Sequence, residues 1–196
     1  MAKIIVQKDG SKKEIILTHA AELFRKKGFA AASVRELAES MGIEAPSLYN
    51  HIGSKAELLQ EICFEVATDY TAHMDEIVQS DFSPIEKITD IIRFHVRKLS
   101  TDFDKVFVSE HEWKRLPQTY LQQFLAQRKA YEKSMIAIVQ DGIDKKIFSN
   151  ILPSIVVLAI LSAVRGLELR QRHKNEFSIE QLEDTMIQHL LHGIIK

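Results

Sequence analysis

The sequence predicts an all-α protein, with an N-terminal three-helix domain and a larger C-terminal helical bundle. Only seven glycines and four prolines occur in 196 residues, so long stretches contain no helix breaker. No segment alternates apolar and polar residues over the length of a β-strand. Apolar residues recur instead at intervals of three and four, as on the buried face of a helix.

The composition is that of a globular protein, with 45% hydrophobic residues and a net charge of −1. Residues 1–60 contain nine Lys or Arg and seven Asp or Glu, a net charge of +2, and the remainder carries −3. The single cysteine, Cys63, cannot form an internal disulfide, and Met1–Gly10 has no apolar core of signal-peptide length. We therefore expect a cytoplasmic protein whose mild positive charge lies near the N-terminus.

Three helices are predicted to form the N-terminal domain, residues 11–55, after a poorly ordered arm at residues 1–10. The first spans residues 11–27 and has an apolar stripe that ends at Gly28. Basic residues on the arm and this helix could form a positive patch, although a solvated helix face is the alternative. They are Lys3, Lys8, Lys12, Lys13, Arg25, Lys26 and Lys27.

Two short helices follow in the pattern of a helix-turn-helix. Ser33 can accept a hydrogen bond from a free N–H of the first turn and so begin the second helix. Gly42 can end that helix in a left-handed conformation, and Pro46 suits the first turn of the next. A helix this short must be held by its neighbours, here through Leu48 and Ile52 at positions i and i+4.

The opposite face of the third helix is left exposed. It carries Ser47, Asn50 and His51, with Tyr49 and Lys55 near its end. These side chains can donate to phosphate oxygens or contact base edges, as a helix in the DNA major groove does. The alternative is a pair of packed surface helices without a role in DNA binding.

Residues 12–59 resemble the DNA-binding domain of the tetracycline-repressor (TetR) family of transcriptional regulators. The matching segments are Ala20-Ala21, Leu23-Phe24, Gly28-Phe29, Ser33–Ala38, Met41–Ile43, Ser47–His51 and Ser54–Leu59. Two positions depart from the family pattern. Ala32 replaces a frequent threonine, which removes one expected phosphate contact, and Ile52 replaces a frequent aromatic residue but keeps an apolar role.

The resemblance implies a role for each residue of the motif. Tyr49, His51 and Lys55 are expected to bind phosphates. Ser33 and Arg35, at the start of the second helix, are expected to touch the DNA backbone. Ala45, Pro46, Ser47 and Asn50 are expected to face bases.

The second domain, residues 56–196, is predicted to be a bundle of longer helices at about residues 54–79, 83–100, 102–115 and 118–142, followed by two apolar helices. The helix at 54–79 is long enough to connect the two domains mechanically. Ile151–Val164 contains no charged residue, yet at fourteen residues it is shorter than the roughly 20 needed to span a bilayer. We therefore expect helices at about 150–171 and 178–195 to form a homodimer, as the resemblance also implies. Such a dimer would place two recognition helices about one DNA turn apart on a near-palindromic operator.

No catalytic, cofactor or metal motif is found, so the sequence does not predict an enzyme. A zinc-protease helix needs a second histidine, but Arg115 follows His111-Glu112 instead. The same region suggests a ligand pocket. Its candidate residues are His111, Glu112, Trp113, Phe124, Arg128, Tyr131 and Arg165.

A buried arginine is costly unless it is paired, so Arg165 is predicted either to form an ion pair with Glu112 or Glu168 or to meet an anionic ligand. The run from His111 through Tyr131 also resembles the effector domains of family members that sense acyl-CoA thioesters. The sequence therefore predicts a transcriptional repressor that a small effector releases from DNA. The alternatives are a helical interaction protein without DNA binding and a helical enzyme.

Overall fold

The computed structural model describes residues 12–169 and 177–195, so the predicted arm lies outside the described residues. The described part forms nine α-helices, a short 3₁₀ turn at Trp113–Arg115 and a 3₁₀ segment at residues 167–169, and the all-α prediction is confirmed. The helices are α1 Lys12–Lys27, α2 Val34–Ser40, α3 Ala45–Tyr49, α4 Lys55–Gln79, α5 Pro84–Thr101, α6 Phe103–His111, α7 Gln118–Asp144, α8 Pro153–Gly166 and α9 Ile179–His192. No helix within these ranges is long and apolar enough to cross a membrane.

The helix-turn-helix is held by local bonds that the sequence anticipates. The Ser33 hydroxyl accepts from the Glu36 N–H at 3.2 Å, and the Glu36 carboxylate accepts from the Ser33 N–H at 2.9 Å. Gly42 has a φ of +66°, which glycine adopts without a Cβ penalty, and α2 turns there into α3. The helix α3 ends at Tyr49, so Ile52, which was expected four residues after Leu48 on the same helix, is buried beyond its end.

One predicted helix is divided in two. The expected helix at residues 102–115 becomes α6 and the 3₁₀ turn, with Glu112 between them. Pro117 disfavours the helical region for the preceding residue, and Leu116 is accordingly extended at φ −60° and ψ 143°. The tighter 3₁₀ turn completes the end of the segment before α7 begins.

Two hydrophobic cores are joined by α4. The first core contains Phe24 of α1, Leu48 of α3, Cys63 of α4 and Phe124 of α7. The second core lies among α5, α7, α8 and α9, and Met74 of α4 belongs to it. Because α4 contributes to both cores, the predicted role of this helix as the connection fits its packing. Burial also raises the pKa of the Cys63 thiol to about 12.

Helix α6 makes a second connection between the two domains. Lys105, whose side chain is 4% exposed, donates to Glu14 of α1 and to Glu65 of α4, each at 2.5 Å. Arg25 of α1 also pairs with Asp104 of α6. Burial would lower the pKa of Lys105, but the hydrogen bonds to the two carboxylates raise it. These ion pairs fix α6 against both α1 and α4.

The C-terminal helices leave an apolar surface uncovered. Leu152, just before α8, and Ile155 and Leu158 of α8 are 70%, 56% and 59% exposed. Phe177, two residues before α9, is also exposed. Phe148 and Ile195 form an isolated antiparallel β-bridge, which holds the last described residues against the segment after α7. Residues 170–176, which include the end of the predicted 150–171 helix, lie outside the described residues.

Gly142→Ala should lower the free energy of unfolding by about 2 kcal/mol, because overpacking a core forces side chains from their rotamers. A Cβ at position 142 would lie 2.2 Å from Cδ2 of Phe148, whose ring is 1% exposed. Gly166→Ala is the matched control, because among the described residues, apart from its chain neighbours and its own helix backbone, no heavy atom lies within 4 Å of its added Cβ. Urea unfolding of both variants tests this, and equal stability of the two would contradict the steric explanation.

Candidate nucleic-acid interface and ligand cavity

The exposed face of α3 carries the residues that the sequence assigned to DNA. Leu48 is fully buried beneath it, whereas Tyr49 is 55% exposed. The neighbouring Pro46, Ser47, Asn50 and His51 are also exposed, and Ala45 is half-buried. Since α3 has only five residues, packing of Leu48 fixes the direction in which this face points. The face offers hydroxyl, amide and imidazole groups to solvent, as a major-groove surface requires.

The two residues predicted to contact DNA at the start of α2, Ser33 and Arg35, already bond to neighbouring carboxylates. Ser33 is exposed, but its hydroxyl also donates to the Glu36 carboxylate at 2.9 Å, within the capping arrangement. The side chain of Arg35 is 84% exposed and its Nε lies 3.1 Å from Glu39. An exposed pair of this kind is weak and can exchange its partner for a phosphate. The contacts of Ser33 and Arg35 with the DNA backbone remain predictions.

Lys55 is bound to protein rather than directed at solvent. Its ammonium donates to the carbonyls of Phe29 and Ala32 at 2.8 Å each and lies 4.5 Å from the centroid of the Phe29 ring. These contacts tie the start of α4 to the turn that precedes α2. A phosphate contact of Lys55 remains a prediction, and the structure adds a bracing role that sequence reasoning missed.

Several basic residues of the predicted positive patch form ion pairs. On α1, Lys26 pairs with Glu22, Lys27 pairs with Glu36, and Lys13 lies 3.0 Å from Glu61. The bond from Lys27, followed by those from Ser33, lowers the pKa of the Glu36 carboxyl to about 2. Lys3 and Lys8 lie outside the described residues. Lys13, Lys26 and Lys27 therefore carry exposed ion pairs, which are weak and which a phosphate can replace.

A cavity of about 140 Å³ lies among α4, α5, α6, α7 and α8. For comparison, an engineered protein cavity of about 150 Å³ holds a benzene molecule. Four of the seven predicted ligand residues line it, namely Phe124, Arg128, Tyr131 and Arg165. The other lining residues are Val66, Ala67, Tyr70, Thr71, His95, Leu99, Val106, Ser109, Glu110, Gln127, Glu132, Leu161, Val164 and Glu168.

Glu110 binds both of the arginines in this cavity. Arg128 donates to its two carboxylate oxygens at 3.0 and 3.1 Å, in a bidentate pair. The Nη2 atom of Arg165 lies 2.8 Å from Oε2 of the same carboxylate. Arg165 therefore forms an ion pair, which was one of its two predicted roles. Its partner is Glu110, however, and the predicted partners, Glu112 and Glu168, are wrong. Sequence spacing could not separate three glutamates whose positions depend on how α6 and α8 pack.

The buried end of the cavity contains a neutral histidine. His95 Nε2 lies 2.8 Å from the Tyr131 hydroxyl, and the Tyr70 ring packs edge-on at 4.7 Å between centroids. Burial, followed by the nearby charges of His73 and Arg165, lowers the pKa of His95 to about 3. Burial also raises the pKa of Tyr70 and of Tyr131. Near neutral pH this end therefore presents uncharged hydrogen-bonding groups.

Acidification should destabilise the protein through His95. Between pH 6.5 and about 3 the unfolded chain binds a proton at this residue and the folded chain does not, so stability falls as pH falls. The loss from this group is about 2 kcal/mol at pH 5. His95→Gln, which keeps a polar group near Tyr131, should show a shallower decline in urea-unfolding free energy from pH 7 to 5. The same decline in both proteins would refute the assignment.

The remaining predicted ligand residues lie outside the cavity lining. His111 Nε2 lies 2.7 Å from Glu168 Oε2, and its ring stacks on Phe107. Glu112 accepts from the Phe29 N–H at 3.1 Å, across the junction with the DNA-binding segment. Trp113 packs against the first core. Because α6 ends at His111, Glu112 and Trp113 leave the path of the continuous helix that the sequence predicted.

Sequence reasoning missed several cavity residues. Glu110 directly precedes the predicted His111 and Glu112, and its sequence position alone does not distinguish it from Glu112. Tyr70 and His95 lie on α4 and α5, far from that run in sequence, so only tertiary packing brings them together. Among the described residues, no group of three or more His, Cys, Asp or Glu could hold a metal ion.

Family comparisons identify the class of protein. The family described as "Bacterial regulatory proteins, tetR family" matches residues 16–62, and "Tetracyclin repressor-like, C-terminal domain" matches residues 81–194. The second match alone spans more than half of the 196 residues. This chain belongs to the TetR family of transcriptional regulators. It is a DNA-binding regulator and not an enzyme.

Individual relatives are similar over most of the chain. The HTH-type transcriptional repressor KstR2 of Mycobacterium tuberculosis is 23% identical over 188 residues, covering 95% of this chain and 94% of the repressor. KstR2 of Mycolicibacterium smegmatis is 27% identical over 144 residues, covering 73% and 70%.

Solved structures share the fold. The ketosteroid transcriptional regulator KstR2 of Mycobacterium tuberculosis gives a TM-score of 0.90 at 23% identity, covering 99% of this chain and 100% of that one. AibR in complex with isovaleryl coenzyme A and operator DNA gives 0.78 at 21% identity, covering 90% and 96%.

Proposed function

We propose that this regulator is a cytoplasmic repressor that binds a near-palindromic operator as a homodimer and leaves it when a small effector binds. Residues 11–55 bind the DNA, and residues 56–196 hold the effector and form the dimer. The observation that carries the proposal is the exposed polar face of α3 above the buried Leu48. The relatives are named as repressors, which supports repression rather than activation.

The dimer contact lies on α8 and α9, within about 150–171 and 178–195. The exposed Leu152, Ile155 and Leu158 support this assignment, because monomeric proteins rarely leave such contiguous apolar surface uncovered. A twofold axis there would present the two α3 helices to successive major grooves of a palindromic site.

Two substitutions on α3 should separate affinity from sequence preference. Tyr49→Phe removes a hydroxyl that donates to phosphate, so it should weaken binding to operator and to unrelated DNA alike, by about two- to tenfold. Asn50→Ala, or a change at Ser47, should instead alter which bases are preferred, by about 1–3 kcal/mol per base pair. Fluorescence anisotropy with mutated operators measures both. A uniform loss for Asn50→Ala would remove it from the base-reading set.

Lys55→Ala tests two roles of one residue. A phosphate contact predicts that the slope of log affinity against log salt falls by about one. The bracing role predicts a lower free energy of unfolding, since two backbone carbonyls lose their donor. Unchanged affinity and salt slope would remove Lys55 from the DNA contacts.

We propose that the effector is an acyl-CoA thioester. The AibR complex with isovaleryl coenzyme A supports this class, and so does the apolar cavity edged by Arg128 and Arg165. A volume of about 140 Å³ matches a short or single-ring acyl group and not a whole thioester. The coenzyme would therefore extend past Arg165, whose side chain is 48% exposed.

Helix α6 provides a route from this cavity to the DNA. Its Glu110 binds the two cavity arginines, its Lys105 binds α1 and α4, and Glu112 just beyond it binds the turn before α2. An anionic group that competes for Arg128 and Arg165 would loosen Glu110 and shift α6. The distance between the two α3 helices of the dimer would change with it. A difference of about 1.4 kcal/mol between the two states already alters operator affinity tenfold.

The deciding experiment is binding of the purified protein to DNA from its own upstream region, titrated across salt with and without a panel of acyl-CoA thioesters. Tight, salt-sensitive binding that one thioester releases is the expected result. Binding that no thioester disturbs would refute the effector class. Absence of specific binding at every salt concentration would refute the operator proposal and favour an interaction protein.

A further inference from the structure

The Phe29 turn, residues 28–32, joins α1 to α2 and is held by two side chains from other parts of the chain. The carboxylate of Glu112 accepts from the Phe29 N–H at 3.1 Å, and the ammonium of Lys55 donates to the Phe29 carbonyl at 2.8 Å. The Phe29 ring packs edge-on against Phe24 of the first core, with 5.2 Å between the ring centroids. The N–H, the carbonyl and the ring of Phe29 are therefore all fixed from outside the turn.

The Phe29 turn leads directly into the helix-turn-helix. Gly28, at its start, has a φ of +77°, which glycine adopts without a Cβ penalty. Ala32, at its end, is buried in the first core, and Ser33 immediately after it caps α2. Because the turn is short and close-packed at both ends, a displacement of Phe29 moves the start of α2. The helix α3 shares the first core with α2, so its DNA-facing side chains move as well.

Glu112 lies two residues after Glu110, the carboxylate that binds Arg128 and Arg165 in the cavity lining. Helix α6 ends between them, at His111. Glu112 itself does not belong to the cavity lining, so a ligand there would act on it only through Glu110 and the end of α6. A hydrogen bond weakens steeply when its distance and angle change, so the Phe29 N–H keeps its acceptor only if the turn follows the carboxylate.

We propose that Glu112 is the positioning residue that couples the effector cavity to the helix-turn-helix, through its bond to the Phe29 N–H. This role rests on the proposed ligand-responsive function and specifies how regulation at that site reaches the DNA. A ligand that draws Arg128 or Arg165 away from Glu110 displaces the end of α6, and Glu112 transfers the displacement to the Phe29 turn. Breaking this bond should uncouple the two sites without removing either of them.

A double-mutant cycle on the full chain tests the coupling without a ligand. Arg128→Met removes the bidentate partner of Glu110 and should weaken binding to DNA from the upstream region about three- to tenfold, as the effector would. In the Glu112→Ala background the same change should have less than about a twofold effect. Glu112→Gln keeps an oxygen acceptor for the Phe29 N–H, so it should retain the sensitivity to Arg128→Met.

Glu76→Ala is the charge-matched control, because Glu76 is an exposed carboxylate in the last turn of α4. It should leave the effect of Arg128→Met on DNA affinity unchanged. If Glu112 had only a structural role, Glu112→Ala would weaken DNA binding by the same factor with and without Arg128→Met. Additive effects of these two changes would therefore overturn the coupling role. Thermal unfolding checks that each variant is folded.

Hydrogen exchange provides a second readout that needs neither DNA nor ligand. Arg128→Met should speed exchange of the amides in residues 28–32, followed by mass spectrometry, about threefold or more, whereas Glu76→Ala should not. Unchanged exchange in Arg128→Met would overturn the coupling role.

These outcomes are separate from those that test the proposed function. Failure of every thioester to release DNA would refute the effector class, and the double-mutant cycle would still decide the role of Glu112. Absence of specific DNA binding would refute the operator proposal, and hydrogen exchange would then decide it.

Discussion

Leu48→Ala should destabilise the protein by about 3 kcal/mol and abolish specific DNA binding. Leu48 is 0% exposed and is the buried residue of the five-residue helix α3. Truncating a buried leucine costs about 2–5 kcal/mol, through lost burial and the cavity that remains. A helix this short does not persist without its packing, so its DNA-facing side chains lose their common orientation. Urea unfolding and anisotropy with operator DNA measure the two effects.

The neighbouring Ile43 offers a matched control. It lies in the turn between α2 and α3 and is 36% exposed. Ile43→Ala should change stability by less than about 1 kcal/mol and leave specific binding in place. If Leu48→Ala retained specific binding while Ile43→Ala lost it, the DNA surface would lie on the turn and not on α3.

Removing both carboxylates around Lys105 should lower the free energy of unfolding by about 3 kcal/mol. In Glu14→Gln/Glu65→Gln, the ammonium of Lys105 keeps its buried position but loses the two groups that neutralise it at 2.5 Å. An uncompensated buried charge is more costly than the absence of the whole pair. Each single variant retains one carboxylate and should cost much less than half of this value. Urea unfolding of all three variants at pH 7 measures the difference.

Lys105→Met distinguishes the effect of the Lys105 charge on stability from the effect of its side-chain packing. It removes the buried charge with a side chain of similar length, and Glu14 and Glu65, which are 46% and 33% exposed, can bind water. Lys105→Met should therefore be more stable than Glu14→Gln/Glu65→Gln. If Lys105→Met were instead the less stable of the two, attraction between Lys105 and the two carboxylates would contribute more to stability than the cost of leaving the Lys105 charge unpaired. If α6 transmits the effector signal, Lys105→Met should also reduce the effect of ligand on operator affinity.

Local patterns were sufficient to predict the DNA-binding half. The start of α2 is set by Ser33 and Glu36, three positions apart, and its turn is set by Gly42, whose backbone conformation favours glycine. These bonds form between near neighbours, so they can be inferred from spacing. The extent of α3 was overestimated, since Ile52 packs from beyond the helix and not from within it.

The effector cavity required the tertiary structure. Arg128, Tyr131 and Arg165 were predicted to lie together, whereas Glu110, the residue that binds both arginines, was indistinguishable in sequence from Glu112. A rotation of about 100° per residue separates their directions, and the end of α6 at His111 decides which one faces the cavity.

The sequence by itself determined the helical class, the helix-turn-helix and the family, because apolar periodicity, capping residues and motif spacing are local properties of the chain. Only the tertiary structure decided that Lys55 braces a turn, that α6 contacts both α1 and α4, and that Glu110 binds both arginines of the cavity. The physical reason is that ion pairing and burial depend on which side chains from distant helices meet. Those meetings follow from packing and have no signature in sequence spacing.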